Sequence, residues 1–304
     1  MQIYIYIIPI LIIFYLLLGK LITTINNYNN IKFLKRSTQI PFPILNELYL
    51  MCNNYSNDEN LIVESSIKIT IGSINFNRFA IPLSLTNFLI KNQIDENKLK
   101  KLCEQLTTKI CGNFDNKLSR CLNKYMMISL LNFSGSTDII VGYDWKQKLF
   151  KIYVDSANNN IECLEFNIAN NEINRKIYIT VDQIRHSEIL RGLNVKDLKL
   201  LEIIDFVENN YKLIYKTSDN VYHVVLKSPY KINCVQIQSI DSHFNLDGKL
   251  IEWYNQIKNI ECRAYVISIK KINNRINNLT IYFRPNCFVN QLIMTKSIIK
   301  NIFI

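Results

Sequence analysis

Residues 148–155 read KLFKIYVD and residues 175–181 read RKIYITV. On a strand, where successive side chains point to opposite faces, each sets a lysine beside a tyrosine and leaves only carbon on the other face. Lys151 and Tyr153 oppose Phe150, Ile152 and Val154, and Lys176, Tyr178 and Thr180 oppose Ile177, Ile179 and Val181. Ammonium and phenol groups donate to anions, and phenol rings attract cations to their faces. A strand whose apolar face lies under helices, and whose cationic, phenolic face turns inward, describes a barrel with a positively charged lumen. Such a lumen suits an anion carried on an apolar body.

The elements that must position these residues are legible as alternating strand pairs and helices. VESSIKITIG at 63–72 sets Glu64, Ser66, Lys68 and Thr70 opposite Val63, Ile67, Ile69 and Ile71, and FNRFAIPL at 76–83 pairs back onto it. Helices are predicted at 95–110, with Asp95 as cap and Leu99, Leu102 and Leu106 on one side, and at 117–132. Strands at 138–144 and 148–155 flank the turn WKQK, and a second pair occupies 161–168 and 174–181. Helical sequence at 182–208 precedes strands at 211–217 and 221–227; CVQIQSI at 234–240 reads as a strand with Gln236 and Gln238 opposite Val235 and Ile237. A helix at 247–258, a last strand pair around the loop 272–278 and a helix at 288–303 complete the order. No parallel crossover signature interrupts it. The predicted fold class is therefore α+β: an antiparallel barrel of about ten strands with helices outside, its inner face the functional one.

The 304 residues are 48% hydrophobic, enough for a sizeable core, and include only seven glycines and six prolines, which argues against a loop-rich fold. Paired asparagines at 26–30, 158–160, 170–171, 209–210, 273–274 and 277–278 are expected in turns. The net charge of +11 suits nucleic acid or an acidic membrane surface, but the basic residues are scattered, with KLKK at 98–101 the densest cluster. No zinc, helix-turn-helix or aromatic RNA-binding signature accompanies them, so no nucleic-acid partner is expected. Eight cysteines without a C-x-x-C pair read as free thiols in a reducing compartment. His186, His223 and His243 have no ligand spacing, so no metal site is expected.

Residues 3–18, IYIYIIPILIIFYLLL, carry no charge, and residues 1–25 are predicted to be a single transmembrane anchor. Lys20, Lys32, Lys35 and Arg36 at or after its end place the rest of the chain in the cytosol, a single-pass membrane location. Residues 26–45 read as a connector ending in IPFPI, and 46–304 as the barrel domain.

Short motifs built on Glu64, Arg78, Lys151 with Tyr153, Lys176 with Tyr178, and Tyr282 follow one another along the chain, and on these residues it resembles the aromatic prenyltransferases of the α-β-β-α barrel fold, especially the indole, or dimethylallyltryptophan synthase-like, branch. The shared elements begin with a Val-Glu-x-Ser strand (Val63, Glu64, Ser66), followed by an arginine before an aromatic and a proline (Arg78, Phe79, Pro82). The hydrophobic-Asp-turn-Lys-x-Tyr hairpin is GYDWKQKLFKIYVD, with Asp144, Lys151 and Tyr153; RKIY approximates the Arg-x-Lys-x-Tyr strand at Lys176 and Tyr178. The closing hairpin supplies Arg263, Tyr265, Tyr282 and Pro285. Two positions depart from the pattern: Arg175 stands one residue too close to Lys176, and Arg263 stands where the indole branch has glutamine.

The resemblance implies transfer of a dimethylallyl or longer isoprenoid group from its diphosphate to an aromatic acceptor, without a metal or other cofactor. Glu64 would orient the acceptor and take its proton. Arg78, Lys151, Tyr153, Lys176, Tyr178, Arg263, Tyr265 and Tyr282 would form the diphosphate site, with the tyrosines also shielding the carbocation. Asp144, beside a turn, reads as structural. The alternative is a membrane-anchored, non-catalytic barrel that binds a lipid or protein partner; convergence of Glu64, Arg78, Lys151 and Lys176 on one centre separates the two.

Overall fold

The computed structural model describes residues 2–55, 63–90, 93–131, 138–156, 160–181, 198–260, 262–273 and 275–285. Its strands are β1 (Glu64–Thr70), β2 (Ser73–Ser84), β3 (Leu89–Ile90), β4 (Gln93–Ile94), β5 (Asp138–Asp144), β6 (Leu149–Asp155), β7 (Ile161–Asn167), β8 (Glu172–Thr180), β9 (Tyr211–Lys216), β10 (Val221–Tyr230), β11 (Cys262–Ile272) and β12 (Arg275–Pro285). Its helices are α1 (Gln2–Ser37), α2 (Phe42–Tyr55), α3 (Glu96–Cys111), α4 (Asn116–Leu131), α5 (Leu198–Asn209), α6 (Cys234–His243) and α7 (Lys249–Ile257). Ten strands close into one barrel in the order β1, β12, β11, β10, β9, β8, β7, β6, β5, β2, and every neighbouring pair is antiparallel. Only β3 and β4 pair apart from it.

The period-two alternation makes this architecture. Ile67, Ile69, Phe79, Ile81, Phe150, Ile152, Ile267 and Ile281 are buried on the outer faces of their strands. Each such side chain, fully buried, stabilises by roughly 1.5–3 kcal/mol relative to exposure. Trp253 of α7 ties three elements together: its ring lies 5.4 Å from Phe283 of β12, and its indole N–H donates to the Ser37 carbonyl at the end of α1, at 2.8 Å. Asp95 caps α3 by accepting from the Lys98 N–H at 3.1 Å, and Gly112 ends the helix in the left-handed conformation that glycine adopts without strain.

Three readings of the sequence change. CVQIQSI is not a strand but the start of α6: Asn233 accepts from the Gln236 N–H, and the Gln236 side chain accepts from the Asn233 N–H, a reciprocal capping box that nucleates the helix. The connector at 26–45 is mostly helical, α1 running to Ser37 and α2 starting at Phe42, with Pro41 and Pro43 at a helix start where proline's missing N–H costs nothing. The asparagine pairs divide: Asn171 and Asn273 take positive φ in hairpin turns, whereas residues 26–30 lie in α1 and 277–278 in β12.

The apolar run at 3–18 falls within α1, but among the described residues no helix is long and apolar enough to cross a membrane, so the predicted anchor has no support here. Residues 182–197, His186, Cys287 and the helix expected at 288–303 lie outside the described residues.

Candidate functional site in the barrel lumen

The ladder registers carry one face of every strand into the lumen. Ser66 of β1 lies opposite both Arg78 of β2 and Tyr282 of β12. Arg78 faces Asp144 of β5, and Gly142 of β5 faces Lys151 of β6. Lys151 and Tyr153 stand across from Glu165 and Cys163 of β7, and Cys163 and Ile161 stand across from Lys176 and Tyr178 of β8. His223 of β10 lies between Tyr215 of β9 and Ser268 of β11. Glu64, Arg78, Lys151, Tyr153, Tyr178 and Tyr282 thus line a single cavity of about 250 Å³. Gly142 leaves room for it: a Cβ there would come within 3.2 Å of the Tyr153 ring.

The cations are held by carboxylates, of which the sequence reading singled out Asp144 alone and paired none. Asp144, with 3% of its side chain exposed, lies 3.4 Å from Arg78 Nε, whose side chain is 13% exposed. Both of its oxygens also accept from the Asn75 amide nitrogen at 3.1 Å, and Oδ1 accepts from the Gln147 N–H at 3.0 Å, so one carboxylate fixes Arg78 and the β5–β6 turn together. Lys151 Nζ donates to Glu165 Oε1 at 2.5 Å, and Lys176 Nζ lies 3.7 Å from Asp219 Oδ1 in the β9–β10 turn. Asp219 is shared with Lys270 at 3.9 Å and accepts from the Thr217 hydroxyl. Lys176 is therefore drawn toward that turn, 6.0 Å from the ring of its neighbour Tyr178 and off the cavity wall. Arg78 Nη1, in contrast, is buried without a hydrogen-bond partner.

Much of the rest of the wall is aromatic, with Ala80, Ile140, Ile161, Val225 and Val266 between the rings. The Tyr153 and Tyr178 rings lie 5.9 Å apart, and Tyr178 meets His223 edge-on at 5.0 Å. Arg78 lies 6.0 Å from the centre of the Tyr282 ring. Burial pushes the Tyr153 and Tyr178 phenols well above their ordinary range, so both are neutral hydrogen-bond donors. Burial likewise pushes the Cys163 thiol up to about 12 and leaves it without thiolate reactivity. Glu64 accepts from Arg284 Nε at 3.1 Å; burial raises its carboxyl while Arg284 and then Arg78 oppose the rise.

Arg263 and Tyr265 do not reach this cavity. β11 bulges between Ala264 and Val266, so Val266, not Tyr265, stands opposite Tyr282. A bulge adds one residue to one strand and shifts its alternation, so Tyr265, which the resemblance assigns to the diphosphate site, loses the place opposite Tyr282. Tyr265 instead lies beneath the Arg284 guanidinium at 5.0 Å, and Arg263 is exposed at the start of β11, beside Lys231 and Tyr254. Arg284, Tyr215 and His223 join the lining unannounced. Arg284 and Tyr282 share a face by simple alternation, a signal available in the sequence. His223 and Tyr215 have no such local signal, because only the register sets them opposite each other.

His223 gives a test of the lumen's electrostatics. Its Nδ1 lies 2.5 Å from the Ser268 hydroxyl, and burial, then Lys176 and Arg78, pull its pKa down to about 3. An unfolded histidine titrates near ~6.5. Below that pH the unfolded chain binds a proton that the folded one refuses, so the stability His223 contributes is complete above pH ~6.5 and is lost as pH falls toward 3. Urea unfolding at pH 7.5 and 4.5 is expected to show a smaller acid loss in His223→Gln than in wild type; equal losses would show that His223 ionises freely in the fold.

Compared with known proteins, the chain matches no family model and no curated protein sequence. What the lumen can do follows from its chemistry. Fixed cations at one wall neutralise a phosphorylated leaving group without reorganising solvent, and neutral tyrosine faces stabilise a carbocation and keep water from it.

Proposed function

We propose that the chain is an aromatic prenyltransferase, an enzyme of the α-β-β-α barrel kind that moves an isoprenoid group from its diphosphate to an aromatic acceptor. The observation that carries the reading is the convergence of three of the four expected residues, Glu64, Arg78 and Lys151 but not Lys176, on one tyrosine-lined cavity inside a closed barrel. In this reading the C1–O bond of the donor breaks and its electron pair leaves with the diphosphate, which Arg78, Lys151 and a swung-in Lys176 neutralise. The allylic cation, held between Tyr153, Tyr178 and Tyr282, takes a π pair from the acceptor ring and forms the new C–C bond. The ring then gives up a proton to Glu64 and regains aromaticity.

The cavity of about 250 Å³ is small beside the roughly 300–1,000 Å³ usual for ligand pockets, which favours the five-carbon dimethylallyl donor over longer chains. A non-catalytic barrel is the second reading. It draws support from the carboxylates that already neutralise Lys151 and Lys176.

The test is incubation of the full chain with labelled dimethylallyl diphosphate and a panel of indoles and phenols, with and without EDTA. A prenylated aromatic product whose formation survives EDTA is expected. The expected effect of Lys151→Ala is a weakening of donor binding by about tenfold, the scale of one charge-assisted hydrogen bond. No product with any acceptor, together with no donor binding that depends on Lys151, would overturn the enzyme reading.

A further inference from the structure

Arg78, Lys151 and Lys176 each have a carboxylate partner: Asp144 at 3.4 Å, Glu165 at 2.5 Å and Asp219, shared with Lys270, at 3.7 Å. A fourth cation on the same inner face, Lys68, has no carboxylate within salt-bridge distance among the described residues. Its place is set by the ladders. Lys68 stands opposite Thr280 of β12 and Asn75 of β2, one inward position along β1 from Ser66, which itself faces Arg78 and Tyr282. Asn75 gives its amide to Asp144, and the two oxygens of Asp144 are further taken by Arg78 and the Gln147 N–H. The carboxylate whose charge most favours the Lys68 ammonium is thus already committed.

Among the described residues two groups are left over in this part of the lumen: the Lys68 ammonium, without a counter-ion and just off the cavity wall, and Arg78 Nη1, buried without a hydrogen-bond partner. Buried donors are paired almost without exception, and Lys68, though only half-buried, still bears part of the cost of a desolvated cation without an anion. Burial first, and then the charges of Arg78, Lys151 and Lys176, hold the Lys68 ammonium below the ordinary lysine range, so the unliganded barrel works against its own charge here. An anion resolves both deficits at once.

We propose that Lys68 and Arg78 Nη1 form an anion seat, which takes the diphosphate of the donor and retains it after transfer; the choice of diphosphate rests on the prenyltransferase reading. Lys68 is then a donor-binding residue on the polar face of the 63–72 strand but outside the diphosphate site that the sequence reading assigned. It also carries a signature that a structural lysine would not: its removal relieves repulsion in the empty barrel while weakening anion binding.

The experiment is calorimetric titration of the full chain with inorganic diphosphate, for wild type, Lys68→Gln and Lys68→Arg, with a thermal melt of each protein with and without ligand. Lys68→Gln is expected to bind diphosphate about tenfold or more weakly, the loss of one charge-assisted contact. Lys68→Arg retains most of the affinity. The unliganded Lys68→Gln protein melts no lower than wild type, and diphosphate raises its melting temperature less.

Equal affinity in wild type and a folded Lys68→Gln, or no binding by wild type, would overturn the seat. A lower melting temperature for unliganded Lys68→Gln would make Lys68 a structural residue and overturn it as well. Lys68-dependent diphosphate binding without any prenyl transfer upholds the seat and sinks the enzyme reading; transfer by Lys68→Gln at wild-type efficiency sinks the seat alone.

Discussion

Arg78→Met is expected to lower kcat/KM for prenyl transfer by roughly 10²–10³-fold, the loss seen when one preorganised donor to a developing anion is removed. Arg78 is the cation whose position the fold specifies most completely: Asp144 holds its Nε at 3.4 Å, while its Nη1 is buried and unpartnered. The same substitution leaves Asp144, 3% exposed, without its cation. Breaking a buried pair from one side costs about 3–5 kcal/mol. The bonds that Asp144 keeps from Asn75 and the Gln147 N–H move the expected loss to the lower end of that range. Loss of activity and loss of stability are therefore confounded in the single variant.

They separate in the double variant Arg78→Met/Asp144→Asn. Removing the stranded charge is expected to return most of the stability in urea unfolding, because the amide still bonds Asn75 and the turn. Turnover is not expected to return with it. Recovery of activity in parallel with stability would mean that Arg78 serves the barrel rather than the donor. Arg78→Lys falls between: it keeps the charge but loses the planar fork that grips two oxygens.

The strands were legible because each works as a boundary. One face lies under helices and must be carbon, and the other meets the lumen and is free to be polar, so the period of two survives in VESSIKITIG and KLFKIYVD; RKIYITV keeps the same alternation although Ile177 and Ile179 on its outer face are exposed. Hairpin order followed from turn spacing, and ten antiparallel strands from the number of hairpins. What depends on register was hidden. Glu165 becomes the partner of Lys151 only because β6 and β7 pair in one register, and Asp219 reaches Lys176 from a turn two strands further along the ring. The bulge at Tyr265 has no residue signature that the strand's alternation reveals. α6 was misread for a different reason: Gln236 and Gln238 mimic a strand's polar face, while the signal that decides the matter, Asn233 three residues before Gln236, is a helix-start pattern.

Glu64→Gln is expected to slow prenyl transfer by roughly 10²–10⁴-fold, the contribution of a positioned general base, while leaving affinity for inorganic diphosphate unchanged. The two expectations belong together, because Glu64 and the anion-binding cations lie on one cavity yet act on different substrates. Glutamine keeps the size and hydrogen-bonding reach of the side chain but cannot accept a proton from the acceptor ring. Its effect on the fold is expected to be small, since the lost partner, Arg284, is 35% exposed and stacks on Tyr265 in any case. The pH dependence gives the sharper test. Burial raises the Glu64 carboxyl above its ordinary range, and Arg284 and Arg78 only oppose that rise. Catalysis that needs the carboxylate should therefore fail on the acid side at a pH above that of an ordinary glutamate, and this acid limb should vanish in Glu64→Gln. A variant that turns over like wild type, with the same acid limb, would reduce Glu64 to the counter-ion of Arg284 and leave the acceptor's proton without a base on this wall.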